Sequence, residues 1–139
     1  MTTTSAVPEV GTALPELVVA FTRERLARYA GASTDFNPIH YSEHYAAAVG
    51  LPGVIAHGML TMGTAVRVVT EWAGGSERVR SYGVRFTKPV VVPDDVAGVE
   101  VRFGGTVTKV EGTLVTVTLE AVCDGNKVLG AARVEVDLG

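Results

Sequence analysis

The hydrophobic period of this chain changes at Val79, and any fold must satisfy both periods at once. Beyond that point Tyr82, Val84 and Phe86 alternate with Gly83, Arg85 and Thr87, and Val99, Val101 and Phe103 alternate with Glu100 and Arg102. Val115, Val117, Leu119 and Ala121 alternate with Thr116, Thr118 and Glu120, and Val128 to Val136 repeats the pattern against Lys127, Arg133 and Glu135. A two-residue period predicts strands with one buried face. Pro93-Asp94-Asp95, Glu111-Gly112 and Asp124-Gly125-Asn126 are turn signals between them, the last two short enough for antiparallel hairpins. A sheet with one polar face needs an apolar layer laid on the other.

The first half supplies that layer. Between Gly58 and Trp72 there is no proline, and Met59, Leu60, Met62, Ala65, Val66, Val68, Val69 and Trp72 cover nearly the whole circumference of a helix. That pattern predicts one helix buried on most sides and ended by Gly74-Gly75. Two shorter helices precede it. Thr22 is placed to cap Arg23 to Ala30, with Phe21 and Leu26 as a hydrophobic staple and Gly31 at the C-terminal end. Ser42 is placed to cap Glu43 to Val49, with Gly50 after it. Together the two periods predict an α+β fold, a long curved antiparallel sheet wrapped round one central helix.

Composition narrows the classes of function. At 139 residues, 47% hydrophobic and 19% charged, the chain is expected to form one domain over residues 1–139 with a sizeable core. Twelve Lys and Arg against fifteen Asp and Glu leave a net charge of −3, which speaks against a nucleic-acid partner. The helix from Gly58 is too short for a bilayer and is interrupted by Thr61, Thr64, Arg67 and Glu71, so no membrane association is expected. Cys123 is the only cysteine, which permits neither an internal disulfide nor a thiolate cluster for zinc. Met1 to Gly11 lacks the basic start and apolar run of a signal peptide, Thr2 to Ser5 is expected to fray, and a cytoplasmic setting follows.

The segment carrying chemistry is Asp35-Phe36-Asn37-Pro38-Ile39-His40, a loop that Asn37-Pro38 prevents from continuing as helix. Two readings stand side by side. In one, the Asp35 carboxylate and the His40 imidazole meet over a substrate as proton donor and acceptor. In the other, Asp35 or Asn37 merely closes an Asx-turn and His40 is an ordinary half-buried side chain. A second segment, Ile55-Ala56-His57-Gly58-Met59-Leu60, opens the buried helix. The Gly58 N–H would lie at the positive end of the helix dipole and suit a developing oxyanion, or Gly58 would serve close packing alone. His57 fits a capping or supporting role better than a catalytic one.

The run Tyr29-Ala-Gly-Ala-Ser-Thr-Asp35-Phe-Asn37-Pro38-Ile-His40, with Ala46 and then Ala56-His57-Gly58-Met59 downstream, resembles the hydratase-2 motif of the MaoC-like, R-specific enoyl hydratases and dehydratases. The resemblance extends over most of the chain, through Val10-Gly11, Tyr82 to Pro93 and the closing strands, and is nearest to the catalytic B subunits of actinobacterial (3R)-hydroxyacyl-ACP dehydratases. It implies a dimeric hot-dog fold with the acyl chain near the subunit interface, either homodimer or heterodimer with a related subunit. It implies reversible dehydration of (3R)-3-hydroxyacyl thioesters, linked to ACP or CoA, in fatty acid or polyketide elongation, without cofactor or metal. Asp35 and His40 would be the catalytic dyad, the Gly58 amide the oxyanion donor, and Asn37 a supporting residue that fixes the loop. The chain departs from some hydratases of the family at Thr34, where they have Gly, and at Val66, where they have Ser.

Two other activities fit a hot-dog fold. A thioesterase would need a carboxylate on or beside the central helix, where the chain offers only Glu71 near the far end; a non-catalytic acyl-binding partner subunit would lack the dyad. Arg78, Arg80, Arg85 and Lys88 form a local basic run, read either as a patch for an acidic carrier or as a solvated strand face.

Overall fold

Residues 7–139 are described by a computed structural model; Thr2 to Ser5 lie outside the described residues. The elements run β1 (Leu17–Phe21), α1 (Arg23–Ser33), α2 (Glu43–Ala48), α3 (Gly58–Ala65), α4 (Arg67–Ala73), β2 (Val79–Phe86), β3 (Val99–Glu111), β4 (Leu114–Cys123), β5 (Asn126–Lys127) and β6 (Leu129–Asp137). The strands form one antiparallel sheet in the order β1-β3-β4-β6-β2, with β5 paired to β4 alone. This is the hot-dog arrangement that the two periods require.

The alternation fixes which face is buried. Val115, Val117, Leu119 and Ala121 on β4, Val101, Phe103 and Val107 on β3, and Val134 and Val136 on β6 are all buried in one core with Val68 and Val69 of α4. The layers approach closely at Gly105 of β3, where an added Cβ would lie 3.3 Å from Val68 of α4 and 3.0 Å from Val117 of the neighbouring strand. Turn chemistry sets the register. Gly112, at φ +61°, occupies the first of two turn positions between Glu111 and Leu114, as a type II′ hairpin requires. Asp124 and Gly125 follow at φ +49° and +75°, the type I′ pattern, between the paired Cys123 and Asn126.

The helical half differs from expectation in four places. Helix α1 begins at the Thr22 cap, whose hydroxyl accepts from Arg25 N at 3.1 Å, but it runs through Gly31 to Ser33. Nothing at Gly31 ends it, because the chain does not turn left-handed until Thr34. Ser42 caps α2 as expected, and that helix stops at Ala48, one residue short of Val49. The expected single helix from Gly58 to Trp72 is interrupted at Val66. Just before the break the Thr64 hydroxyl donates to Leu60 O at 2.7 Å, a back-bond of the kind that bends helices. Nor is this helix buried all round within one chain: Thr61, Thr64 and Ala65 are buried, whereas Met59 is exposed. Strand β1 was not legible from alternation, because Leu17-Val-Val-Ala-Phe21 reads as a plain apolar run.

Two tethers hold the helical layer. The Tyr82 hydroxyl on β2 donates to Met62 O at 2.7 Å, and burial pushes its pKa up to about 12. Arg23 pairs with Glu43 and donates through Nε to Val92 O at 2.8 Å, tying α1 and α2 to the chain that enters β3.

Candidate active site

The left-handed turn at Thr34 begins the site. Its φ of +62° is a conformation that a β-branched residue adopts only under strain. Thr34→Gly is therefore expected to stabilise the fold by roughly 1 kcal/mol, since strain of this kind costs about 1–3 kcal/mol and glycine returns part of that as unfolded-chain entropy. A urea melt showing no gain would mean the turn is unstrained.

Beyond Thr34 the loop is tied by its own side chains. Ser33 Oγ accepts from Asp35 N at 3.1 Å, Asp35 Oδ1 from Asn37 N at 3.1 Å, and Asn37 Oδ1 from Ile39 N at 3.2 Å. Pro38 to His40 form a single 3-10 turn with proline at its first position, where no N–H is needed. The Asx-turn reading thus holds for one carboxylate oxygen. The other, Oδ2, faces His40 Nε2 at 3.8 Å, so the first reading's pairing is present too. His40 is buried and Asp35 exposed.

His40 is held from the far side. Its Nδ1 lies 2.7 Å from Ile55 O, and a carbonyl only accepts, so Nδ1 carries the proton and Nε2 presents a lone pair toward Asp35. Ile55 is itself anchored through Ile55 N to Ile39 O at 3.1 Å, and Ala56 N to Val90 O at 2.8 Å ties it to the segment between β2 and β3.

His57 stands at the start of α3 but does not cap it. Its ring stacks on His40 with centroids 3.8 Å apart at 21°, meets Tyr29 edge-on at 4.7 Å, and donates from Nε2 to Asp35 O at 3.2 Å. Of the capping or supporting role expected for it, the cap is not formed; the ring instead links the Asp35 main chain to the His40 ring. Burial pushes the His57 pKa below 6.5, against the smaller opposing effect of the Asp35 carbonyl. A histidine whose folded pKa is depressed contributes stability that is whole above its unfolded pKa of 6.5 and lost as pH falls below it. The acid-side slope of stability is accordingly expected to be shallower in His57→Gln than in the wild type; equal slopes in pH-dependent urea melts would refute this.

Gly58, the first residue of α3, has no intrahelical acceptor for its N–H and lines a cavity of about 460 Å³ with Asp35 and His40. Ile39, Ile55, Val90 and Val128 supply apolar walls, and Thr61 adds a hydroxyl. A Cβ on Gly58 would lie 3.0–3.3 Å from the Phe86 ring, so the packing reading of this glycine also holds. Phe86 and Met59 line the same cavity while remaining 55% and 59% exposed. The donor atoms of Asp35, His40 and His57 lie within 4.8 Å of one another, but two stacked rings direct their in-plane lone pairs along near-parallel planes rather than toward one cation.

The basic run does not form one patch. Arg78 donates to Asp137 O, and Arg80 to Glu77 O at 2.8 Å with the Asp137 carboxylate 3.6 Å away, at the start of β2. Lys88 lies past its other end, about 25 Å along an extended strand, where it lines the cavity and donates to Asn126 Oδ1 at 3.1 Å. Sequence reasoning overlooked Tyr29, Ser33, Phe86 and the Ile55 carbonyl as parts of the site. Tyr29 and Ser33 stand within the motif itself, but a carbonyl acceptor has no side-chain signature.

Residues 6–124 match the family described as MaoC like domain. The chain is 33% identical over 108 residues to the 3-oxo-4,17-pregnadiene-20-carboxyl-CoA hydratase beta subunit of Mycobacterium tuberculosis, covering 78% of this chain and 80% of that one. It is 40% identical over 79 residues to 3-hydroxyacyl-thioester dehydratase X of the same organism, covering 57% of this chain and 27% of that one. It spans only 4% of the fatty acid synthase beta subunit pkiC of Emericella nidulans, at 41% identity over 81 residues and 57% of this chain. A solved MaoC-like dehydratase superposes with a TM-score of 0.90 at 36% identity, covering 95% of this chain and 41% of that one. The ChsH1-ChsH2 complex of M. tuberculosis follows at 0.82 and 30%, covering 93% and 97%. With the family match running over residues 6–124, a relative 33% identical over most of both chains and a superposition at 0.90, the chain belongs to the MaoC-like dehydratase domain family.

Proposed function

We propose that residues 1–139 act as one hot-dog hydro-lyase domain that interconverts (3R)-3-hydroxyacyl and trans-2-enoyl thioesters, carried on ACP or CoA, in fatty acid or polyketide chain elongation. The observation that carries this reading is the facing pair Asp35 Oδ2 and His40 Nε2, 3.8 Å apart on a cavity whose wall includes Gly58. That separation is too long for a direct hydrogen bond and short enough for both groups to reach one substrate oxygen between them.

In the dehydration direction His40 Nε2 takes the α-proton, and the C–H electron pair becomes the enolate of the thioester. The Gly58 N–H at the helix start stabilises that oxyanion, a contribution of roughly 3–4 kcal/mol for one well-placed donor. The enolate expels the β-hydroxyl, which leaves as water with a proton from the dyad, and the double bond forms between Cα and Cβ. Asn37 fixes the loop and His57 supports the dyad from behind.

Thiol release is disfavoured because Glu71, the carboxylate a thioesterase would use, is paired with Arg67 at 2.8 Å and lies away from the cavity. A partner subunit without catalysis is disfavoured because both dyad residues are present. Crotonyl-CoA hydration, followed by loss of enoyl absorbance beside a free-thiol assay, separates the three. Hydration without thiol release is expected; thiol release, or neither, would overturn the reading. The exposed Met59 and Phe86 support a second hot-dog subunit, identical or related, completing the acyl tunnel. No described helix is long and apolar enough to cross a membrane, and the single buried Cys123 suits the cytoplasmic setting we infer.

A further inference from the structure

The chemistry proposed above uses His40 Nε2 and the Asp35 carboxylate but leaves a second buried imidazole directly against them. His57 is 1% exposed and makes three contacts with distinct geometry. Its edge donates through Nε2 to the main-chain oxygen of Asp35 at 3.2 Å, its face covers His40 at 3.8 Å, and it meets the Tyr29 ring in a T-shaped contact at 4.7 Å and 63°. Because a carbonyl only accepts, Nε2 must bear the proton, and the neutral ring has its lone pair on Nδ1. That Nδ1 is buried without a hydrogen-bond partner among the described residues. Protonating it would add a buried N–H with no acceptor and set a cation face-on against His40. The titratable groups facing the ring are Asp35 and His40 from the loop and Tyr29 from α1.

We propose that His57 is a positioning residue for the dyad: as the uncharged Nε2–H tautomer, its edge pins the Asp35 main chain while its face pins the plane of the His40 ring. The two dyad members lie on one loop whose internal bonds are all local, so nothing in that loop sets the rotation of the His40 ring against the Asp35 backbone. The Ile55 carbonyl holds His40 at one edge atom, Nδ1, and the stacked His57 ring bears on its face. His57 does so from the N-cap position of α3, next to Gly58. One helix start therefore registers the proton-transfer pair against the proposed oxyanion donor. The inference rests on the hydro-lyase reading for its kinetic arm and on geometry alone for its spectroscopic arm.

The two contacts can be removed separately. His57→Gln keeps an N–H at the Nε2 position and loses the ring face; His57→Phe keeps the face and loses the donor; His57→Leu loses both. With crotonyl-CoA, His57→Leu is expected to lower kcat on the order of 100-fold with KM within about threefold, since displacement of reacting groups by about 1 Å costs that much. The Gln and Phe variants should each recover part of the loss. If all three keep kcat within about twofold of wild type, or if the loss falls on KM, the proposal fails. Nitrogen-detected histidine NMR on the wild-type protein tests it whether or not the variants fold and whether or not the enzyme hydrates crotonyl-CoA. His57 is expected as the Nε2–H tautomer, still mostly uncharged at pH 6.5. An Nδ1–H tautomer, or a ring half protonated at that pH, would overturn the assignment. Loss of hydration by the wild type with the expected His57 tautomer would instead count against the hydro-lyase reading alone.

Discussion

Asp35→Asn and His40→Ala are each expected to reduce enoyl-thioester hydration by a factor on the order of 10² to 10⁴, the range contributed by a positioned acid–base group. Neither should unfold the protein. The Asp35 side chain is half exposed, and Asn keeps an oxygen able to accept from Asn37 N, so the Asx-turn survives. What is lost is the charge facing His40. His40→Ala opens a small space beside the ring of His57 and removes the bond to Ile55 O, but the loop keeps its Ile55 N to Ile39 O bond. Circular dichroism should match wild type for both. Activity within tenfold of wild type in either variant would remove that residue from the mechanism.

Phe21→Ala is expected to cost about 3–5 kcal/mol, the range for truncating a buried phenylalanine. Phe21 is fully buried at the end of β1, where it pairs with Val99 and its ring lies 6.3 Å from that of Phe103. It also immediately precedes the Thr22 cap, so it sets where α1 leaves the sheet. That helix carries Tyr29 and Ser33 to the site. Against a total stability of about 5–15 kcal/mol the loss is large, and it should appear as a lower urea midpoint with the slope unchanged. A shift worth less than about 1 kcal/mol would mean that the core closes over the gap.

Legibility tracked the distance in sequence between cause and effect. The loop could be read because Asp35, Asn37, Pro38 and His40 act on one another within six positions, through an Asx-turn, a side-chain cap and a missing N–H. The strands could be read because one buried face imposes a period of two. Strand β1 could not, since its five apolar residues show no alternation and its identity comes from pairing with β3, some eighty residues away. The helix break at Val66 accompanies a back-bond from the Thr64 hydroxyl to Leu60 O, and apolar periodicity carries no mark of which rotamer a threonine takes. The basic run looked continuous on paper, but an extended strand carries its two ends apart.

The sequence by itself therefore determined the architecture and brought Asp35 and His40 together, because periodicity and short-range turn chemistry are local properties of the chain. Only the tertiary structure decided the protonation geometry of the site. Ile55 O, Asp35 O and the stacked His57 ring come from segments joined by packing, and they direct the His40 lone pair toward Asp35 while keeping His57 uncharged. A hydrogen bond to a main-chain carbonyl leaves no mark in the residue alphabet, and burial, which sets the His57 charge, exists only once the sheet has closed over the helix.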